Sequence, residues 1–338
     1  MQVDYYLPST TPARDVANQA RRAAEIGFDG FFTAETAHDP FIPLALAATT
    51  QPGLTLGTAI AVAFPRSPMI TAQVAWDLAE MSDGRFILGL GTQVKPHIVR
   101  RFSVDWTTAS GRLRDYIDAL RAIWSSFQTG ESLRFDSEEY RFSLITPFFN
   151  PGPIAHPDVP VAIAGVGPQL ARLAGERCDG FHVHPFHTVK YLDDVLIPNI
   201  AAGAGEHGRQ LSDVDLISTV FVVTGRDEGE MQKAMLAAKQ QIAFYASTPS
   251  YRAVLETHGW DFGEELNRMS RRGEWGAMAA VIPDDVVAEV GVIAEPDGIG
   301  DAIKTRYGDR IARVGYYTLD GAPMMSDEQL ASIVAATR

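Results

Sequence analysis

The sequence is poor in cysteine: Cys178 stands alone among 338 residues, so no internal disulfide can form. It opens an apolar stretch and reads as a small buried hydrophobe rather than a nucleophile. Cations are also scarce. Against 42 Asp and Glu stand 29 Lys and Arg, a net charge of −13. That balance argues against a nucleic-acid partner, because such binding rests on neutralising phosphates. It leaves an anionic small ligand open, since local donors decide a pocket, and Arg66 and the stretch 95–101 are local positive clusters. No apolar run reaches the roughly eighteen residues of a membrane span. The opening Met1-Gln2-Val3-Asp4 lacks a basic segment followed by an apolar one, so a cytoplasmic protein without a membrane partner is expected. Low-complexity segments and linkers are missing too, and 46% hydrophobic residues are ample for one large core.

What is present is one pattern written twice. Residues 20–35 and 169–184 each run from a small-residue helix through Asp-Gly (Asp29-Gly30, Asp179-Gly180) into a short apolar strand with a polar end. A helix feeding straight into a strand is half of a βαβ unit. Strands are expected at 3–7, 30–34, 54–63, 85–90, 159–164, 181–183, 216–223 and 313–318. Most are continuously apolar rather than alternating, as strands covered on both faces are. Helices are expected at 41–50, 68–81, 112–127 and 327–336. Eight strands with intervening helices predict a single (β/α)8 TIM barrel over 1–338, α/β in class. Two stretches break the rhythm: an aromatic-rich hairpin or lid at 128–158, and a mostly helical insertion at 227–305 before the last strand.

The motifs resemble those of a known family. Ala24-Glu25-Ile26-Gly27-Phe28-Asp29-Gly30, Leu56-Gly57-Thr58-Ala59-Ile60, Arg66-Ser67-Pro68, Ser82-Asp83-Gly84-Arg85-Phe86 and Ala164-Gly165-Val166-Gly167-Pro168 follow one another in order. Together with Phe244-Tyr245-Ala246-Ser247-Thr248-Pro249, they are similar to the luciferase-like monooxygenase superfamily, in its branch of coenzyme F420-dependent oxidoreductases. The resemblance implies a bacterial-luciferase-like barrel, hydride transfer on a deazaflavin, and a homodimer acting on a small-molecule substrate.

The candidate site residues follow the strand ends, where barrel chemistry sits. Gly165-Val166-Gly167-Pro168 precedes a helix, whose first turn leaves amide donors unpaired. Gly165, Val166, Gly167 and Gln169 are therefore candidates for a cofactor phosphate; an ordinary tight turn is the other reading. The resemblance implies that Thr58, Ala59 and Ile60 back the central ring of the cofactor, with a non-proline cis peptide at Ala59–Ile60 or one residue earlier. It further implies an acid and a His at the end of strand two. Glu35 supplies the acid, but Thr36 occupies the usual His position, which leaves His38 as a substitute or no His at all. A proton-donating Glu in the loop after strand four is replaced by Val94, which leaves Gln93 and His97 as ring or substrate contacts and His97 as a proton donor. Glu35, His38 and His97 are the catalytic candidates.

His182-Val183-His184 is the sharpest signal outside the resemblance. Positions i and i+2 of a strand share a face. The two rings either contact the cofactor or ligate a metal, with Glu35, His97 or His38 completing the site. No acidic motif with metal spacing accompanies them, so no metal is assigned. His187 and Tyr191 are weaker rim candidates, and Phe135, Tyr140, Phe142, Phe148, Phe149, Trp260 and Trp275 could line a lid. Four functions stay open: an oxidoreductase using coenzyme F420, an FMN-dependent monooxygenase fed by a reductase, a metal-dependent barrel hydrolase, and a flavin-binding protein without turnover.

Overall fold

A computed structural model describes residues 1–317 and 319–338. Eight parallel strands close on themselves: β1 Gln2–Tyr6, β2 Gly30–Thr33, β3 Thr55–Thr58, β4 Phe86–Gly91, β5 Val161–Gly165, β6 Gly180–Val183, β7 Asp215–Val223 and β8 Arg313–Tyr317. Each pairs with the next, and β8 returns to β1 with Gln2 opposite Arg313 and Val3 opposite Val314. The architecture is the (β/α)8 barrel expected from the sequence, and the expected strand end at Thr318 lies outside the described residues.

The repeated helix-to-strand pattern performs the same task at both places. Helix α1, Val16–Ile26, ends at Gly27, whose φ of 104° lets the chain turn back at once. The next residue but one, Asp29, accepts the amide of Val3 at 2.8 Å, while its own amide donates to the Val3 carbonyl at 2.7 Å. Asp179 does the same to Val161, at 2.9 Å and 2.8 Å. Each Asp thereby ties the start of one strand to its neighbour and fixes the register of β1 with β2 and of β5 with β6.

Helices α2, Phe41–Thr50, and α3, Pro68–Met81, span the residues expected. Strand three is shorter than expected. The continuous stretch 54–63 divides into β3 and a two-residue strand, Ala61–Val62, on either side of a cis peptide between Ala59 and Ile60. A short helix, α4 Lys95–Arg100, fills what reads in the sequence as a loop, and α5 runs longer than expected, Ala109–Thr129. The 128–158 excursion contains a minimal hairpin, Phe135–Asp136 against Arg141–Phe142. Tyr140 turns inward, where its hydroxyl accepts from Arg112 at 3.0 Å and its ring meets Tyr116 edge-on. Phe148 and Phe149 are 88% and 64% exposed.

Residues 227–305 are mostly helical but hold one strand the sequence reading lacks. Gly291–Ile293 pairs in parallel with Phe221–Val223 of β7. Three residues between two helices carry too little periodicity to reveal it. Cys178 is wholly buried, and burial pushes its thiol well above the usual range, as befits a packing residue. Among the described residues no helix is long and apolar enough to cross a membrane.

Candidate functional site

The carboxyl ends of the strands open into a cavity of about 430 Å³. Its floor is the backbone that breaks strand three, Ala59 and Ile60, with the carboxyl end of β4 beside it. Close packing under this floor explains a glycine: a Cβ on Gly89 would lie 1.8 Å from the Thr58 carbonyl oxygen and 2.6 Å from His182 Nε2. The Thr58 side chain is buried and serves this contact. Its hydroxyl donates to the Gly89 carbonyl at 2.7 Å and accepts the Gly89 amide at 2.9 Å. Thr58 therefore supports the floor from beneath instead of facing the cavity.

One wall is the turn Gly165-Val166-Gly167 at the head of helix α6, Pro168–Arg177. Among the described residues no side chain caps this helix, so the amides of Gly167, Gln169 and Leu170 are left as donors; Pro168 has none. Space is open beside Gly167, where a Cβ would meet nothing within 4 Å. Gln169 itself is exposed at the rim and does not line the cavity. The Tyr191 hydroxyl donates to the Val166 carbonyl at 2.6 Å, which braces the turn from behind.

His182 and His184 both line the cavity, in different settings. His182 is 6% exposed, edge-on to Phe32, and its Nε2 has no partner among the described residues. Burial, with the Arg313 cation adding to it, lowers its pKa to about 4. His184 stacks on Tyr251 at 4.4 Å and meets Tyr245 edge-on at 4.6 Å. Its Nδ1 accepts the Phe186 amide at 3.1 Å, and burial lowers its pKa to about 3. His187, a rim candidate in the sequence, is 1% exposed and faces inward: its Nδ1 donates to the His184 carbonyl at 2.9 Å. Burial draws its pKa to about 4.

These shifts carry a stability prediction. His182 and His187 titrate near 6.5 when unfolded and lower when folded, so the stability tied to their neutral rings is complete above pH 6.5 and lost as pH falls toward 4. Each should cost about 1.4 kcal/mol at pH 5.5 relative to pH 7.5. Urea unfolding at the two pH values measures it, and equal midpoints would mean that the folded protein tolerates the charged rings.

Three expectations are corrected by the geometry. Glu35 does not face the cavity. Its carboxylate accepts the Val62 amide at 2.7 Å and the Arg66 guanidinium at 2.6 Å, and its own amide donates to the Ile60 carbonyl at 3.0 Å. Arg66 also reaches Asp39 at 2.9 Å. Glu35 thus clamps the segment that forms the floor and is already engaged on both sides. His38 is exposed outside the cavity, and so is His97, carried outward on α4. The metal reading needed one of these three beside the histidine pair. Among the described residues no group of three or more His, Cys, Asp or Glu side chains could hold a metal ion. The lid reading also changes, because no residue of 128–158 lines the cavity, and neither Trp260 nor Trp275 does.

Gln93 does line the cavity, with a left-handed φ of 56° and its Oε1 accepting the Val94 amide at 2.8 Å. Other lining residues escape the sequence reading. Tyr6 ends β1, and Ile217 and Thr219 share the inward face of β7, a two-residue spacing visible in the sequence. Ser250 and Tyr251 come from the 3-10 turn Pro249–Tyr251 inside the helical insertion, directly after the motif Phe244–Pro249, which stops just short of them.

Residues 1–313 match the sequence model of the luciferase-like monooxygenase family. Over 307 residues the chain is 45% identical to an uncharacterised protein of Mycobacterium tuberculosis, with 88% of this chain and 90% of that one covered. It is 28% identical to 5,10-methylenetetrahydromethanopterin reductase of Methanolobus tindarius, over 86% of each chain. The structure of coenzyme F420 dependent tetrahydromethanopterin reductase from Methanopyrus kandleri has the same fold, with a TM-score of 0.78 at 22% identity, covering 98% of this chain and 96% of that one. The barrel closure, the ordered motifs and this match over nearly the whole length place the chain in the luciferase-like monooxygenase family.

Proposed function

We propose that the protein is a coenzyme F420-dependent oxidoreductase that moves a hydride between the deazaflavin and an organic substrate. The observation that carries this reading is the meeting, in one cavity, of the glycine turn at the head of α6 with the backbone of Ala59 and Ile60, where strand three breaks. The donor set fits the group. Three uncapped amides with open space beside Gly167 suit a phosphate, since a helix N-terminus favours an anion. Ala59 and Ile60 would back the ring, the turn Gly165-Val166-Gly167 with the amides of Gly167, Gln169 and Leu170 would hold the phosphate, and Gln93, His182 and His184 would supply polar contacts. A bound deazaflavin supplies a ring carbon that accepts or gives a hydride. The chain's own work is orientation and the exclusion of water. Glu35 and Arg66 keep the floor in place, and Tyr191 keeps the turn in place.

Fluorescence titration of the apoprotein with coenzyme F420 and FMN in parallel tests the reading. Tight, saturable binding of F420 with weak binding of FMN is the expected result. Preference for FMN would make the protein an oxygen-using monooxygenase, and binding of neither would end both readings.

A homodimer is part of the same proposal. Ile42 and Leu46 on α2 and Ile70 on the adjacent α3 are exposed apolar side chains, which suits a helix-to-helix contact with a second copy. Light scattering behind a sizing column gives the mass directly.

A further inference from the structure

A second cavity, of about 200 Å³, lies at the carboxyl ends of β7, β8 and β1. One of its walls is the segment 319–325, which joins β8 to the last helix, Asp327–Thr337. It shares one described residue, Tyr6, with the cavity assigned to the cofactor. Five aromatic residues line it, Tyr5, Tyr6, Phe28, Tyr316 and Tyr317, together with Met324 and Met325. Aromatic edges and methionine sulfur both pack favourably on a ring, so this lining suits an aromatic occupant. An apolar cavity of about 150 Å³ takes up one benzene molecule, so the space here suits one ring with a small substituent.

The two charged residues of the lining are already paired. Arg313 holds Asp4 at 2.9 and 2.5 Å, and Asp327 holds Arg22 at 2.6 Å. The Tyr5 hydroxyl is committed as well, donating to Gln19 Oε1 at 2.7 Å and accepting from Arg22 at 3.4 Å. An ionised ligand would lose its water here without gaining a counter-charge. Thr224, the residue after β7, is different. It is 6% exposed, and its Oγ1 has no partner among the described residues. A buried hydroxyl left unmatched is costly, and a ligand that pairs with it recovers that cost.

We propose that this side cavity is a binding site for a small neutral aromatic alcohol. Its ring lies among the tyrosines and methionines, and its hydroxyl pairs with Thr224 Oγ1. A threonine hydroxyl both donates and accepts, so it matches the ligand hydroxyl in either direction. The site is separate from the cofactor cavity and stands whether or not the F420 reading holds.

Isothermal titration calorimetry of the purified protein with p-cresol, toluene and 4-methylbenzoate tests it. p-Cresol is neutral at pH 7, as a phenol with a pKa of about 10 is. It should bind saturably. Toluene, without the hydroxyl, should bind about fivefold more weakly, and anionic 4-methylbenzoate at least about tenfold more weakly. Thr224→Val keeps the shape of the side chain and removes the hydroxyl. It should lower p-cresol to the affinity of toluene and leave toluene unchanged. Its thermal unfolding midpoint should equal or exceed that of the wild type, because no hydrogen bond is lost. Ala322→Phe fills the side cavity without lining the cofactor cavity, and should abolish binding of both neutral probes. No saturable binding of p-cresol overturns the proposal, as does equal or tighter binding of 4-methylbenzoate. A p-cresol preference that survives Thr224→Val overturns it too, and a lowered midpoint for that variant would mean that the hydroxyl is already engaged. Undiminished p-cresol binding to folded Ala322→Phe protein would place the probe elsewhere and overturn it. If Ala322→Phe does not fold, Thr224→Val decides alone.

Discussion

Gly167→Asp should fold normally and bind F420 ten- to a hundredfold more weakly, about 1.4–2.7 kcal/mol. Gly167 is the N-cap of α6, with φ −90° and ψ 166°, a conformation any residue adopts, and open space lies where a side chain would go. Asp is among the best N-cap residues because its carboxylate accepts the amides two and three positions on. Here those are the amides of Gln169 and Leu170, the same donors that the proposal gives to the cofactor phosphate. The substitution therefore stabilises the helix while filling and charging the anion site. Thermal unfolding should show a midpoint equal to or above that of the wild type, and fluorescence titration should show the lost affinity. A stable variant with unchanged F420 affinity would remove the turn from the cofactor site. The contrast between stability and binding is what separates an anion site from an ordinary tight turn.

Arg313→Ala should destabilise the protein by about 3–5 kcal/mol, the largest single effect expected. Arg313 on β8 and Asp4 on β1 form a paired contact at 2.9 and 2.5 Å across the seam where the barrel closes, with their side chains 5% and 0% exposed. Removing the cation leaves a buried carboxylate without a partner. Even in the pair, burial outweighs the guanidinium and raises the Asp4 pKa to about 6. A carboxyl raised in the folded state contributes stability that is complete below its unfolded value of 3.8 and lost as pH rises through its folded value. Without Arg313 the folded value rises further. The difference between variant and wild type should therefore be larger at pH 8 than at pH 5, as read by urea unfolding. An equal difference at both pH values would mean that the lost packing over Phe32, 5.5 Å from the guanidinium, explains the loss instead. Replacing both partners, Asp4→Leu with Arg313→Met, should recover much of the stability.

The sequence by itself determined the barrel. Apolar strand runs, helix stops such as Gly27 and the doubled Asp-Gly turn are local signals, because backbone geometry and burial on both faces are set within a few residues. The glycine turn at 165–167 and the small residues at 58–61 were legible for the same reason, and both reach the cavity through Gly165, Val166, Gly167, Ala59 and Ile60. Side-chain direction was not legible. Glu35 sits at a strand end, as a catalytic acid would, yet its partners lie 27 and 31 residues away, at Val62 and Arg66. His97 reads as a loop residue, but α4 carries it outward. Tyr251 closes the turn that follows the motif Phe244–Pro249, but that motif carries no direction for its ring, and folding alone places it against His184. Which polar groups face the cavity and which are consumed by each other are properties of long-range packing. Contacts between residues far apart in the chain decide them, and no local pattern encodes that choice.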